Sequence, residues 1–213
     1  MADRLSPESL ELLALLLPVL IGSMVLHELA HAWVAYRLGD PTAKLMGRLT
    51  ANPIKHVDPM GTIMFVLSYL SFGFLFGWAK PVPVQPRYFQ SPHRGMAIVA
   101  VAGPITNLLL AVPFAVILAH APLQGELVIT FVYLAFYTNI LLAVFNMLPI
   151  PPLDGSRVVA AFMPRQMADS WAQLDRFGFL IIFGLILFFP PMFEMIRAVT
   201  EPIQRFIFAA VGG

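Results

Sequence analysis

His27, Glu28 and His31 form an H-E-x-x-H pattern. On a helix, residues four apart stand one turn apart on the same face. Both imidazoles can then reach one metal ion, and Glu28 lies beside them, placed to take a proton from water. The pattern closes an apolar stretch that carries no charge from Leu12 to Leu26. Each ionisable group in such a helix costs about 2.5–3.5 kcal/mol on insertion scales, a cost that a bound Zn2+ offsets. The alternative is a set of polar residues at a helix–helix contact or a helix end.

Two histidines do not complete a catalytic zinc site, which takes three protein ligands and leaves a position for water. His56 sits in a polar loop, His93 stands beside Arg94, and His120 closes an apolar segment. Each reads as a surface or interface residue. Asp154 is the better third ligand. It follows Pro149, Pro151 and Pro152 and precedes Gly155, at the end of an apolar segment. Prolines remove backbone donors there, so the chain can turn back and aim a side chain inward. Asp-Gly is also a common surface-turn pair. The incomplete pair of histidines decides for the ligand.

These residues need a membrane-embedded scaffold. Of 213 residues, 59% are hydrophobic and 12% charged, about half the charge fraction of a soluble domain. A net charge of +1 without a large basic patch argues against a nucleic-acid partner. Cysteine is absent, which excludes disulfides and thiolate ligands. The first residues lack the basic start and small-residue cleavage site of a signal peptide, so the first apolar run reads as part of the mature chain. Apolar segments run from about Leu10 to Tyr36, Gly61 to Ala79, Gly95 to Ala119, Leu127 to Leu148 and Phe177 to Phe189. The polar stretch from Gly39 to Pro59 is rich in turn formers, and Ala43 to Thr50 within it reads as a short hairpin or edge strand. Pro81, Pro83 and Pro86 favour an extended chain from Lys80 to Pro86. Glu194, Arg197, Glu201 and Arg205 recur at near-helical spacing, which suggests a helix at the membrane interface. The expected fold is an all-α membrane protein: a polytopic helical bundle with short β or extended elements at the cytoplasmic side. It forms one domain over residues 1–213, with a core over 10–160 and a C-terminal span and interfacial helix over 170–213.

The ligand set constrains topology. His31 precedes Arg37 by roughly 9 Å of helix, so the motif lies near the C-terminal end of the first segment. Asp154 follows the fourth segment, which must therefore run in the same direction as the first. The third runs the opposite way, because only His120 to Glu126 joins it to the fourth. The segment Gly61 to Ala79 must then begin and end on one side, re-entrant or folded back. Arg37, Lys44, Arg48, Lys55, Lys80, Arg87, Arg94, Arg157, Arg165 and Arg176 all fall on that side, whereas the His120 to Glu126 loop has no Lys or Arg. The positive-inside rule makes that side cytoplasmic.

The H-E-x-x-H pattern, together with Asn146-x-x-Pro149-x-x-x-Leu153-Asp154-Gly155, resembles the site-2 protease family of intramembrane zinc metalloproteases. Gly103-Pro104-Ile105-Thr106-Asn107 looks like the family's third recurring element. Gly61-Thr62-Ile63 and Trp78 to Val84 are similar to its small bacterial branch. The resemblance covers roughly residues 20–160, without a PDZ or nucleotide-binding regulatory domain. It implies one Zn2+ per chain held by His27, His31 and Asp154, with Glu28 as general base. The implied substrates are transmembrane proteins, cut in or near their spans during regulated intramembrane proteolysis. The implied location is the cell (inner) membrane, with the active site towards the cytoplasm. Asn146 could bind the substrate backbone or the developing oxyanion, or bond helix to helix; Asn107 reads as structural. Val82 and Val84 could pair with an unwound substrate as an edge strand, or belong to a plain proline-rich connector. The alternative function is a zinc-binding membrane protein that binds transmembrane helices without cutting them. An ion transporter predicts further intramembrane carboxylates or repeats, and the sequence has neither. Oligomeric state is not legible.

Overall fold

The computed structural model of the protein describes residues 6–72, 77 and 79–213. Most of the described residues are helical, with no strand among them. Four helical stretches are long and apolar enough to cross a membrane: Pro7–Arg37, Pro92–His120, Glu126–Asn146 and Arg165–Phe188. The chain is a multi-pass membrane protein.

Helix α1 (Pro7–Arg37) starts where the Ser6 hydroxyl accepts the Ser9 N–H and Pro7 takes the first turn. It ends at Arg37, and Gly39 turns the chain with φ +106°. A one-turn helix α2 (Thr42–Leu45) follows, then α3 (Pro59–Phe72), α4 (Pro92–His120) and α5 (Glu126–Asn146). The core is a three-helix sandwich of α1, α4 and α5. His31 meets Val99 while His27 meets Asn107, so α1 and α4 are antiparallel. A five-residue loop returns the chain from α4 into α5, which therefore runs parallel to α1. The helices approach through small residues: Ala32, Ala35, Ala100, Gly103, Ala111, Ala135 and Ala143 are buried. In lipid, where apolar burial between helices gains little, such close contact is the main source of association.

One expectation is corrected. The predicted hairpin or edge strand over Ala43 to Thr50 does not form. The buried Asp40 carboxylate accepts the Thr42 N–H (2.9 Å) and the Thr42 hydroxyl, which starts α2 instead. Gly47, at φ +65°, then turns the chain, and the Arg48 N–H closes back on the Ala43 carbonyl at 2.8 Å. The stretch from Lys80 to Gln85 runs without helix or strand, since its prolines leave too few donors for a ladder. The C-terminal amphipathic segment forms the expected helix. Helix α9 (Pro191–Ala210) packs Met192 and Ile196 against Ala111, Ala115, Phe136, Ile140 and Val144 of α4 and α5. Its end is held where His120 meets the Val211 carbonyl at 2.6 Å. One face thus lies against the bundle, with Arg197, Glu201 and Arg205 ion-paired on the outer face.

Helix α3 has 14 residues, about 21 Å of length, too short for a hydrocarbon layer of about 30 Å. A Cβ on Gly77 would stand 2.6 Å from the Gly61 carbonyl and 2.8 Å from Phe65 Cβ. The Lys80 N–H donates to the His56 carbonyl at 2.8 Å. The two described ends of this segment thus meet on one side of the molecule. Trp78, part of the Trp78 to Val84 resemblance, lies outside the described residues.

Beyond α5 the chain turns through Met147 to Leu153 into α6 (Asp154–Ala160), then α7 (Arg165–Ala172) and α8 (Gly178–Phe188). Gly155 sits directly on the Met147 and Leu148 carbonyls. That close approach brings the start of α6 back against the end of α5.

Candidate metal centre

His27, His31 and Asp154 converge between α1, α4 and α6, each less than 9% exposed. Asp154 Oδ2 lies 3.1 Å from His27 Nε2 and 3.3 Å from His31 Nε2, and the two Nε2 atoms are 2.9 Å apart. The other ring nitrogens are committed. His27 Nδ1–H donates to Asn107 Oδ1 at 2.5 Å, and His31 Nδ1–H donates to the Val99 carbonyl at 2.7 Å. Those bonds fix both tautomers and leave lone pairs on the two Nε2 atoms. Three acceptors therefore face one another in a buried site, an arrangement that repels itself unless a cation joins it. A tetrahedron with zinc–nitrogen bonds of about 2.0–2.1 Å has edges of roughly 3.3 Å. The observed triangle is close to one face of it. The donor set therefore fits a metal with an open fourth position.

Asn107 is fully buried and bonds to both neighbouring helices of the core. Its Nδ2 donates to Asn139 Oδ1 on α5 (3.0 Å), and Asn139 in turn donates to Ala135 O (2.8 Å). The predicted bond across helices is there, but Asn107 also orients a ring of the cluster. That contact was missed in the sequence, although the antiparallel pairing of α1 with α4 sets Asn107 opposite His27. Gly103 supplies the space. A Cβ there would stand 2.5 Å from His27 Cε1 and from His31 Nε2. Gly103→Ala is expected to displace both imidazoles and weaken metal binding by about 10–100-fold, the range seen when supporting contacts are lost. Competition with a chelator of known affinity measures this; wild-type affinity in the variant would mean that the rings shift at no cost.

Glu28 is half-buried, and its Oε2 accepts the Val82 N–H at 2.8 Å. With Met24, His27, Leu142 and Asn146 it lines a cavity of about 70 Å3, room for one or two waters. Asn146 also donates to the Leu142 carbonyl at 2.9 Å, within its own helix. Val82 thus reaches the site through its backbone; its side chain packs on Ala32 and Ala43. Val84 packs against the neighbouring clusters around Ala35 and Phe89. The remaining histidines stand apart from the cluster. His93 lies 3.8 Å from Asp169, and His120 binds the C-terminal end. His56, expected near the surface, is 2% exposed because its ring folds inward to donate to Thr50 O at 2.8 Å.

A helical membrane bundle with a buried His-His-carboxylate cluster and an adjacent glutamate belongs with the membrane-embedded metallopeptidases. The chain is a member of peptidase family M50, the site-2 protease family, whose model matches residues 15–126 and 121–189. It is 40% identical over 222 residues to YwhC of Bacillus subtilis, named as a candidate zinc metalloprotease, covering 98% of this chain and 97% of that protein. It is 31% identical to Rip2 of Mycolicibacterium smegmatis, similarly named, over 78% of this chain and 63% of the relative. MJ0611 of Methanocaldococcus jannaschii, again so named, is 34% identical over 66% of this chain and 67% of its own. No solved structure matches the chain.

Proposed function

We propose that this single-domain chain is an intramembrane zinc metalloprotease that hydrolyses peptide bonds in or near the transmembrane segments of other membrane proteins. The observation that carries the reading is the convergence of three buried acceptor atoms beside a cavity lined by Glu28. His27, His31 and Asp154 hold one zinc ion. When bound, zinc acidifies water and polarises a carbonyl as a Lewis acid. Glu28 takes the proton from the attacking water and returns it to the leaving amine. Asn107 and the Val99 carbonyl keep the two imidazoles in the ligating tautomer. Asn146, on the cavity wall, donates to the substrate backbone or the developing oxyanion.

A helix hides its own peptide bonds, so the substrate must unwind to react. The extended stretch around Val82 and Val84 runs beside Glu28 and offers the unwound chain a backbone partner. The Val82 N–H is engaged by Glu28, so pairing uses the carbonyls of this stretch and the Val84 N–H. The ends of α1 and α5 that carry the site, with the loops rich in Lys and Arg, face the cytoplasm by the positive-inside rule.

The alternative, a zinc-binding protein that holds transmembrane helices without cutting them, leaves Glu28 beside the cavity with only the Val82 N–H to bind. The test uses zinc-loaded protein in liposomes and a single-pass reporter with a Pro-Gly break in its span. Cleavage is expected, stopped by 1,10-phenanthroline and restored by added Zn2+. Binding of the reporter by folded, zinc-loaded protein without cleavage would favour the alternative.

A further inference from the structure

Among the described residues, two buried charged side chains lie outside the metal centre, on the side where the loops gather. Asp40 is 0% exposed and Arg48 is 5% exposed. Both place hydrogen bonds on one stretch of backbone, Asp40 with the oxygen that Thr42 leaves free. Arg48 Nη2 donates to the Lys80 carbonyl at 2.6 Å and reaches the Pro81 carbonyl at 3.4 Å. Asp40 Oδ2 accepts the Gln85 N–H at 2.6 Å. The stretch is tied at both ends, and between the ties the Val82 N–H donates to Glu28. It has no ladder or helix of its own, and Pro81 and Pro83 stiffen it between the ties.

Burying a guanidinium costs several kcal/mol, and two carbonyls repay that poorly. Arg48 Nε finds no partner at all among the described residues. A hydrophobic residue would fill the space at lower cost, so the charge is better explained by the position it enforces than by the stability it adds. We infer that Arg48 and Asp40 are positioning residues: they brace the stretch from Lys80 to Gln85 so that the Val82 N–H holds the Glu28 carboxylate in place beside the cavity. Glu28 sits on a half-buried helix face, with several rotamers open to a free carboxylate. A donor fixed from the facing loop selects one of them. This rests on the reading of Glu28 as the general base.

The experiment uses the full chain in liposomes with the Pro-Gly reporter. Arg48→Ala and Asp40→Asn are each expected to lower kcat about 10–100-fold, as misplacement of a catalytic group by an ångström does. KM should stay within about twofold, and zinc content should remain at one per chain. Arg48→Lys, which keeps a donor, should recover part of the loss. Val82→Pro removes the N–H and suits a chain flanked by prolines; it should lower kcat by a similar factor. In that background Arg48→Ala should cost less than about threefold more, because both changes break the same link. An undiminished cost of Arg48→Ala in the Val82→Pro background would overturn the inference. So would loss of zinc in Asp40→Asn and Arg48→Lys, which points to general structural support. Full activity in Arg48→Ala and Asp40→Asn, with Glu28→Gln inactive, would overturn the brace alone. An active Glu28→Gln enzyme would instead remove the reading on which it rests.

Discussion

Glu28→Gln is expected to retain one zinc per chain and to lose about 10²–10⁴-fold in cleavage rate, the contribution of a positioned general base. The substitution keeps the shape of the side chain. An amide oxygen still accepts the Val82 N–H, now held at 2.8 Å by Glu28 Oε2, so the loop stays docked. His27, His31 and Asp154 keep their contacts with Asn107, with the Val99 carbonyl and with each other. What disappears is a group that can take a proton and give it back. Single-turnover cleavage of the reporter, alongside zinc content and melting temperature, separates the two effects. A rate within tenfold of wild type would move the base elsewhere.

Asp154→Ala and His31→Ala are expected to lose zinc by more than the roughly 10–100-fold that outer contacts are worth. Each removes one of three donors from a site 7–8% exposed, the one such cluster among the described residues. Asp154 also supplies the only negative charge of the cluster. Without it, two neutral imidazoles remain to bind a dication. The expected profile is a folded, metal-free and inactive protein, read by zinc content per chain after equilibration with a chelator. Wild-type affinity in Asp154→Ala would take Asp154 out of the coordination shell, and His31→Ala would then test the histidine pair alone.

The sequence by itself determined the helices of the core and the chemistry at stake. Long apolar runs bounded by Gly, Pro and Arg can satisfy their backbones in lipid only as helices, so α1, α4 and α5 were legible almost residue by residue. Four-residue spacing put His27 and His31 on one face without any knowledge of the fold. Asp154 was legible as well, because the two histidines demanded a third donor and the prolines before it allowed a turn. The polar loops were not legible. A hairpin was expected from Ala43 to Thr50, but the Asp40 side chain captures Thr42 and starts a helical turn. One side chain, with two bonds to Thr42, starts the turn. The amphipathic pattern of α9 announced a helix with one apolar face, but not that Met192 and Ile196 on that face would meet Ala111 and Ala115 of α4. Tertiary structure alone decided the contacts around the site. Asn107 on His27, Val82 on Glu28, and Gly103 under both imidazoles join residues 54 to 80 positions apart. No local period encodes such pairings: they depend on the depth and rotation at which one helix or loop docks on another, which side-chain packing sets only when the whole bundle closes.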